Sequence, residues 1–279
     1  MSLLSDPLVQ RMLLVGVLVG VATPIVGTYL VQRRMALLGD GIGHVALAGV
    51  AAGWLAGSAA DLVQRDALAV PGAIVFAVAA AVVMERMRAR GAAADVVLAV
   101  LFYGGIATGV LLISAAGGSS ANLLGYLFGS ISTVTWPDVW VTVALAGLII
   151  AAGLGLRPAL FAVTHDEEFA RASGLPARLL TTLVAILAAV TITVAMRVVG
   201  VLLVSALMIL PVAIAQQLTH SFARTMGLAM AIGAALTLTG VGITLEHDLQ
   251  PGALIVVLGV LAYIAVSATT QIRAHRRKP

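Results

Sequence analysis

Long apolar runs, separated by short polar segments, follow one another along the whole chain of 279 residues. These runs approach or reach the about 17–23 residues that an α-helix needs to cross the hydrocarbon core of a bilayer. Runs such as 198–215 and 254–268 are apolar almost throughout, whereas the strands of an outer-membrane barrel alternate apolar and polar residues. The pattern therefore predicts an all-α fold, a polytopic transmembrane helical bundle with nine crossings, at 13–32, 36–57, 67–84, 94–114, 138–156, 179–196, 198–216, 224–245 and 251–270.

The segment 115–137 leaves the number of crossings open between eight and ten. A Gly-Gly-Ser-Ser sequence precedes a short apolar stretch, 123–131, which has no basic residue to orient it. Irregular backbone at membrane depth is tolerated only where it packs against protein. We interpret this stretch as a re-entrant or interfacial element.

Composition and charge support a membrane protein and exclude other classes. Hydrophobic residues make up 61% of the chain and charged residues only 10%, which is too apolar for a soluble globular domain. The net charge is +4, but the basic residues lie between the predicted helices. With the N-terminus outside, every lysine and arginine except Arg11, Arg65 and Arg197 is cytoplasmic, as the positive-inside rule requires. We expect lipid, and no nucleic acid, as a partner.

Two absences restrict the chemistry. The chain has no cysteine, so any metal must be held by histidine, carboxylate or backbone oxygen. Its one lysine, Lys278, is followed by the final Pro279, so no nucleotide-binding loop of the form G-x-x-x-x-G-K-[ST] exists. We therefore predict that the chain is not an enzyme and that any ATP hydrolysis takes place on another polypeptide.

Asp40 and His44 lie four residues apart just inside the second predicted helix. Positions i and i+4 share a helix face at a separation of roughly 6 Å, so a carboxylate oxygen and an imidazole nitrogen can meet on one divalent cation. Zinc and manganese accept these ligands, and an ionisable pair inside a membrane is costly unless it has a function. The alternative is that Asp40 caps the helix while His44 bonds the backbone of a neighbouring helix.

The longest polar segment is 157–178. Asp166 and Glu167 at the start of its central part, with Arg171 further on, suit the dipole of a short helix, and Gly174 followed by Pro176 is typical of a helix stop. Such a helix offers a docking point for a partner, although a solvated loop explains the same pattern.

Two further groups of ionisable residues are weaker candidates for metal binding. Asp95 begins the fourth helix and follows three arginines, so an N-cap or a salt bridge is the alternative to a ligand role. His247 and Asp248, next to Glu246, follow the eighth predicted helix on its outer side. They are suited to attracting an arriving cation, and an ordinary solvated loop is the alternative.

Several motifs follow one another along nearly the whole chain: Arg33-Arg34-Met35, Gly39-Asp40-x-x-x-His44, Ala94-Asp95, Tyr126-Leu127-Phe128-Gly129, the loop 166–174, the run 199–211, and Asp248-Leu249-Gln250-Pro251-Gly252. Together they resemble the membrane permease subunits of bacterial zinc and manganese ABC importers, of the ZnuB and MntB kind.

The resemblance implies a type II ABC-importer-like permease in the bacterial plasma membrane, a single domain over 1–279 with a coupling loop at 157–178. It implies Zn²⁺ or Mn²⁺ as transported substrate, with no permanently bound cofactor. It also implies three protein partners: a second permease chain forming a homodimer, a cytoplasmic ABC ATPase dimer, and an extracytoplasmic metal-binding protein.

The resemblance also assigns roles to particular residues. Asp40 and His44 match the family's intramembrane metal-contact positions, and Asp95 matches a family carboxylate. Many relatives carry a carboxylate where this chain has Ser130. The loop resembles the coupling helix that docks on the ATPase, through Asp166, Glu167, Phe169, Ala170, Arg171 and Gly174.

Three other functions remain as alternatives. A permease for siderophores or vitamin B12 shares the architecture but needs no buried Asp-x-x-x-His pair. A proton-coupled secondary transporter, working without an ATPase, uses Asp40, His44 and Asp95 as a proton relay. An intramembrane metalloprotease lacks support because the chain contains no His-Glu-x-x-His motif.

Overall fold

The structure, a computed structural model, describes residues 6–60, 68–115, 125–129, 134–196, 199–247 and 249–275. In this part of the chain the regular structure is entirely helical. A single helical turn spans 125–128. The longer helices are α1 (Pro7–Gln32), α2 (Leu38–Ala59), α3 (Ala69–Ala89), α4 (Ala94–Ala115), α5 (Trp136–Gly155), α6 (Arg157–His165), α7 (Glu167–Ala172), α8 (Ala177–Ala195), α9 (Val201–Leu218), α10 (Phe222–Thr244) and α11 (Pro251–His275).

Each of the nine predicted crossings corresponds to one of these helices, and the all-α prediction is confirmed. In the described residues, eight helices are long and apolar enough to span a membrane, namely α1 to α5, α8, α10 and α11. The ninth crossing corresponds to α9, whose apolar part is shorter, Leu203–Leu218. The first helix starts earlier than predicted because Pro7 occupies its first turn and the Asp6 carboxylate accepts a hydrogen bond from Leu8 N–H at 2.8 Å.

Helices α1, α2 and α8 form the interior of the bundle. In the most apolar stretch of each of these helices, about 70% of the residues are buried, compared with 17% in α11 and 22% in α4. Helices α4 and α11 therefore lie at the perimeter. Helix α2 packs against α3, α4, α8 and α9, and α1 packs against α5, α8, α9 and α10. The candidate residues of α2 therefore lie inside the protein rather than on its lipid face.

Glycines allow the closest helix contacts. A Cβ atom added at Gly49 of α2 would overlap the backbone of Gly72 in α3, and one at Gly20 of α1 would overlap the backbone of Gly233 in α10. The four-residue glycine spacing in the sequence thus reflects tight helix packing in the membrane.

The segment 125–129 packs against the start of α9. Gly200, with a φ of 88°, directly precedes that helix, and a Cβ atom there would overlap the backbone of residues 127–129. Gly252, near the start of α11, meets the carbonyl oxygens of Phe128 and Val199. This part of the predicted re-entrant or interfacial element is therefore packed against protein, while 116–124 and 130–133 lie outside the described residues.

The polar connections gather at one end of the bundle, which we call the basic end. There Arg33 contacts Glu167, Arg88 contacts Met35, and the Phe161 ring packs against the Phe222 ring at 4.8 Å. The sequence predicted one short helix in 157–178, and the structure has two. Helix α6 was missed because it is only nine residues long and buries a narrow face of Leu160, Val163 and Thr164.

Candidate metal pathway site

Asp40 lies in the first turn of α2, but it does not cap that helix. The N-cap is Leu37, and no side chain supplies a capping hydrogen bond. Within the described ranges, no hydrogen bond or ion pair engages the Asp40 carboxylate. The capping alternative is therefore not what the structure contains, and the carboxylate oxygens remain available to a ligand.

His44 lies one helical turn further along and is only 7% exposed. Its ring meets the edge of the Phe102 ring of α4, with centroids 4.5 Å apart and planes at 78°. Its Nδ1 atom has no hydrogen-bond partner in the described part of the protein. An unpaired buried nitrogen is costly, so the alternative of a hydrogen bond to a neighbouring helix is not observed and a ligand-binding role gains support.

Glycines around the pair let two other helices approach it closely. Gly105 lets the α4 backbone pack directly on the backbone of His44, and Gly41 meets Leu98 of the same helix. On the other side, Gly39 meets Ser205 of α9. The pair thus lies on the α2 face between α4 and α9.

Ser205 is a polar residue beside this site that the motifs of the sequence did not indicate. Its side chain is 5% exposed, and its Oγ atom lacks a hydrogen-bond partner among the described residues. Ser205 is a single polar residue within a long apolar run. This position is the feature of the sequence that could have identified it as a candidate. The hydroxyl adds a second unpaired polar group beside the start of α2.

Asp95 does not join the pair. In the described residues, no three His, Asp or Glu side chains form a cluster suited to a metal ion. Asp95 is exposed in the first turn of α4, where the negative charge of a carboxylate interacts favourably with the helix dipole. The salt bridge considered as its alternative is not present in the described chain, and Arg88 instead pairs with Glu85 at 3.1 Å.

The outer candidates are only partly described. Glu246 and His247 are exposed after α10, and the His247 N–H donates to the Ile243 carbonyl at 3.1 Å. Asp248 lies outside the described residues. A role for this group in metal capture stays a prediction.

The short helix predicted in the loop is present as α7. The Asp166 carboxylate caps it by accepting from Phe169 N–H at 2.9 Å. Gly174, with a φ of 81°, ends it, and Leu175 N–H donates to the Ala170 carbonyl at 3.0 Å, the pattern of a Schellman turn. Phe169 is 65% exposed, whereas Ala170 is buried.

Comparison with known proteins identifies the family. The sequence pattern of the ABC 3 transport family matches residues 5–270. The chain belongs to the ABC 3 transport family. As predicted, this ABC 3 protein is a multi-pass protein of the plasma membrane and has the fold of an ABC-importer permease.

Relatives of this ABC 3 protein carry metal-transport names. A "Probable metal transport system membrane protein" of Thermotoga maritima is 31% identical over 249 residues, covering 89% of this chain and 85% of the relative. The "Manganese transport system membrane protein MntC" of Halalkalibacterium halodurans is 29% identical over 257 residues, covering 92% of this chain and 85% of the relative.

Solved structures support the same fold. "PsaBC from Streptococcus pneumoniae in complex with Fab" matches with a TM-score of 0.82 and 27% identity, over 95% of this chain and 92% of that one. A structure described as an inward-facing conformation of a putative metal-chelate type ABC transporter matches with a TM-score of 0.69 and 16% identity, over 93% of this chain and 85% of that one. The second match concerns the fold alone.

Proposed function

We propose that this ABC 3 protein is the membrane-spanning subunit of an ATP-driven importer of divalent transition metal ions, zinc or manganese. The observation that carries the proposal is the Nδ1 atom of the nearly buried His44, which has no partner among the described residues, one turn from the Asp40 carboxylate, which has no hydrogen bond or ion pair in that same part of the chain. The metal-transport names of the relatives support the substrate class.

Asp40 and His44 contact the ion transiently as it crosses the membrane. Two ligands from one chain do not complete a coordination shell, and a second permease chain or water supplies the rest. The ion is cargo and not a resident cofactor. A transport site must bind weakly enough to release its ion, and an incomplete carboxylate and imidazole set meets this requirement.

Ion selectivity follows from geometry as much as from ligand type. Oxygen and nitrogen ligands suit both metals, and intrinsic affinity favours zinc over manganese. The Ser205 hydroxyl lies beside Gly39, the residue before Asp40, and we propose it as a further neutral oxygen ligand, which suits the harder manganese ion. This is consistent with the manganese names of several relatives.

The chain itself hydrolyses no ATP, and a cytoplasmic ABC ATPase dimer docks at α7. Phe169 and Leu179 are exposed, and Leu179 lines a surface depression together with Arg171, Leu175 and Arg178. An exposed aromatic side chain with flanking arginines suits a protein interface. A metal-binding protein delivers the ion at the opposite end of the bundle.

The test is metal uptake by cells that express the complete transport system, measured for zinc and manganese by mass spectrometry. Asp40→Asn and His44→Ala are compared with the matched variants Asp95→Asn and His220→Ala, the latter at an exposed histidine just after α9, with membrane expression and ATPase assembly verified. We expect the first two variants to lose uptake of one metal and the other two to retain most of it. Normal uptake of both metals by Asp40→Asn and His44→Ala contradicts the proposal. Uptake without any ATPase supports the secondary-transporter alternative instead.

A further inference from the structure

An ion pair joins the end of α1 to the start of α7. The Nη2 atom of Arg33 lies 3.4 Å from Oε2 of Glu167, and the Arg33 side chain is only 7% exposed. Arg33 begins the short connection 33–37 between α1 and α2, and α2 carries Asp40 and His44. A partly buried contact therefore links α7 with the segment that leads directly into the candidate metal site.

The surroundings of Arg33 make this contact consequential. Burial lowers the pKa of the Arg33 guanidinium. The carboxylate of Glu85 raises that pKa, Arg88 lowers it, and the carboxylate of Glu167 raises it. A guanidinium removed from water is strongly disfavoured when it loses a partner. The second ion pair of Glu167, with Arg171 at 2.9 Å, is exposed by comparison, since the Arg171 side chain is 59% accessible, and exposed pairs contribute little.

The connection between α1 and α2 is conformationally strained. Arg34 has a φ of 57° and is the one residue other than glycine with a positive φ in the described chain. The N–H groups of Arg34 and Met35 donate to the Val31 and Leu30 carbonyls at 3.1 and 2.9 Å, which is again the Schellman pattern. The equivalent position after α7 is a glycine, Gly174.

A residue with a Cβ atom persists in the left-handed region only when its surroundings hold it there. Arg33 on one side is held by Glu167, and Met35 on the other accepts a contact from the Arg88 guanidinium at 3.3 Å. The connection is thus held between α7 and the end of α3. A displacement of α7 would therefore act on the contact between Glu167 and Arg33 and, through it, on the strained turn at Arg34.

We propose that Arg33 is a positioning residue that transmits movement of α7, through its ion pair with Glu167, to the start of α2 and hence to Asp40 and His44. This inference rests on the proposed function. The ion pair connects α7, where the ATPase docks, to the metal ligands through the short connection 33–37 and the first turn of α2. The route along the chain through α8 and the outer segments is longer.

The experiment uses the complete system, with permease, ATPase and metal-binding protein, reconstituted in proteoliposomes. The number of metal ions transported per ATP hydrolysed is measured for wild type, Arg33→Met, Glu167→Gln and the charge exchange Arg33→Glu with Glu167→Arg. Glu168→Gln is the matched control, because Glu168 is exposed on the same helix and has no ion pair in the described residues.

We expect transport per ATP to fall at least tenfold in both single variants, Arg33→Met to hydrolyse ATP at close to the wild-type rate, and the charge exchange to restore at least part of the ratio. A wild-type ratio in Glu167→Gln overturns the inference. So does an equal fall of hydrolysis and transport, since a purely structural role lowers both together. If the Arg33→Met complex does not assemble, the transport per ATP of Glu167→Gln tests the inference by itself, because the Glu167 side chain is partly exposed. Wild-type complexes that hydrolyse ATP but move neither metal refute the proposed function itself.

Discussion

The substitution Gly105→Ala in α4 adds one methyl group next to the backbone of His44 and so tests how closely α4 packs against α2. A Cβ atom added there would lie 2.7 Å from the Val45 nitrogen and 2.8 Å from the His44 carbonyl carbon. Ordinary contacts begin at 3.4 Å, so α4 must move away from α2 by about 0.7 Å, the difference between 3.4 and 2.7 Å. Neither contact atom can rotate away because both belong to the α2 backbone.

The expected cost of Gly105→Ala is about 1–3 kcal/mol, the usual range for overpacking a close-packed interior. Alanine also improves helix propensity by about 1 kcal/mol over glycine. Gly104→Ala is the matched control, because a Cβ atom there meets nothing within 4 Å and the propensity gain is the same. Gly109→Ala is a second control, since its Cβ atom would lie 3.5 Å from Ala48 N.

The assay is the thermal unfolding midpoint of the purified protein in detergent, followed by the loss of the monodisperse peak in size-exclusion chromatography. At about 2–4 °C per kcal/mol for a chain of this size, we expect Gly105→Ala to unfold at a temperature about 2–12 °C below Gly104→Ala. Metal uptake should fall with it, because α4 moves relative to His44. A midpoint for Gly105→Ala at or above that of Gly104→Ala refutes the close α2–α4 contact.

Three further predictions concern single side chains at the basic end. Arg34→Gly should raise the unfolding midpoint, since glycine adopts the φ of 57° without the about 1 kcal/mol that a Cβ atom costs there; no rise would mean that this turn is unstrained. Asp166→Ala should remove the cap of α7, at about 0.5–2 kcal/mol, and reduce copurification of the ATPase, with Asp166→Asn retaining most of it. Tyr29→Phe should lower stability by about 1 kcal/mol, because the buried hydroxyl donates to the Gly153 carbonyl; an unchanged denaturation curve would contradict that bond.

The sequence predicted the helical elements well because a membrane restricts the backbone structures that a chain can form. Backbone groups in lipid must bond within their own helix, so each long apolar run became a helix close to its predicted bounds. Helix α6 escaped prediction because nine residues with a narrow apolar face carry little periodic signal. Helix α7 was predictable from local chemistry, since the Asp166 cap and the Gly174 stop act within a few residues of each other.

The sequence by itself determined the helices, the residues available as metal ligands and the placement of Asp40 and His44 on one helix face, because these follow from local backbone geometry and from the solvent. Only the tertiary structure decided that the His44 Nδ1 atom is buried beside α4 without a partner among the described residues, that Ser205 lies next to Gly39, and that Arg33 pairs with Glu167. These contacts join residues far apart in the chain, and their existence depends on how whole helices pack. Local spacing carries no information about such packing.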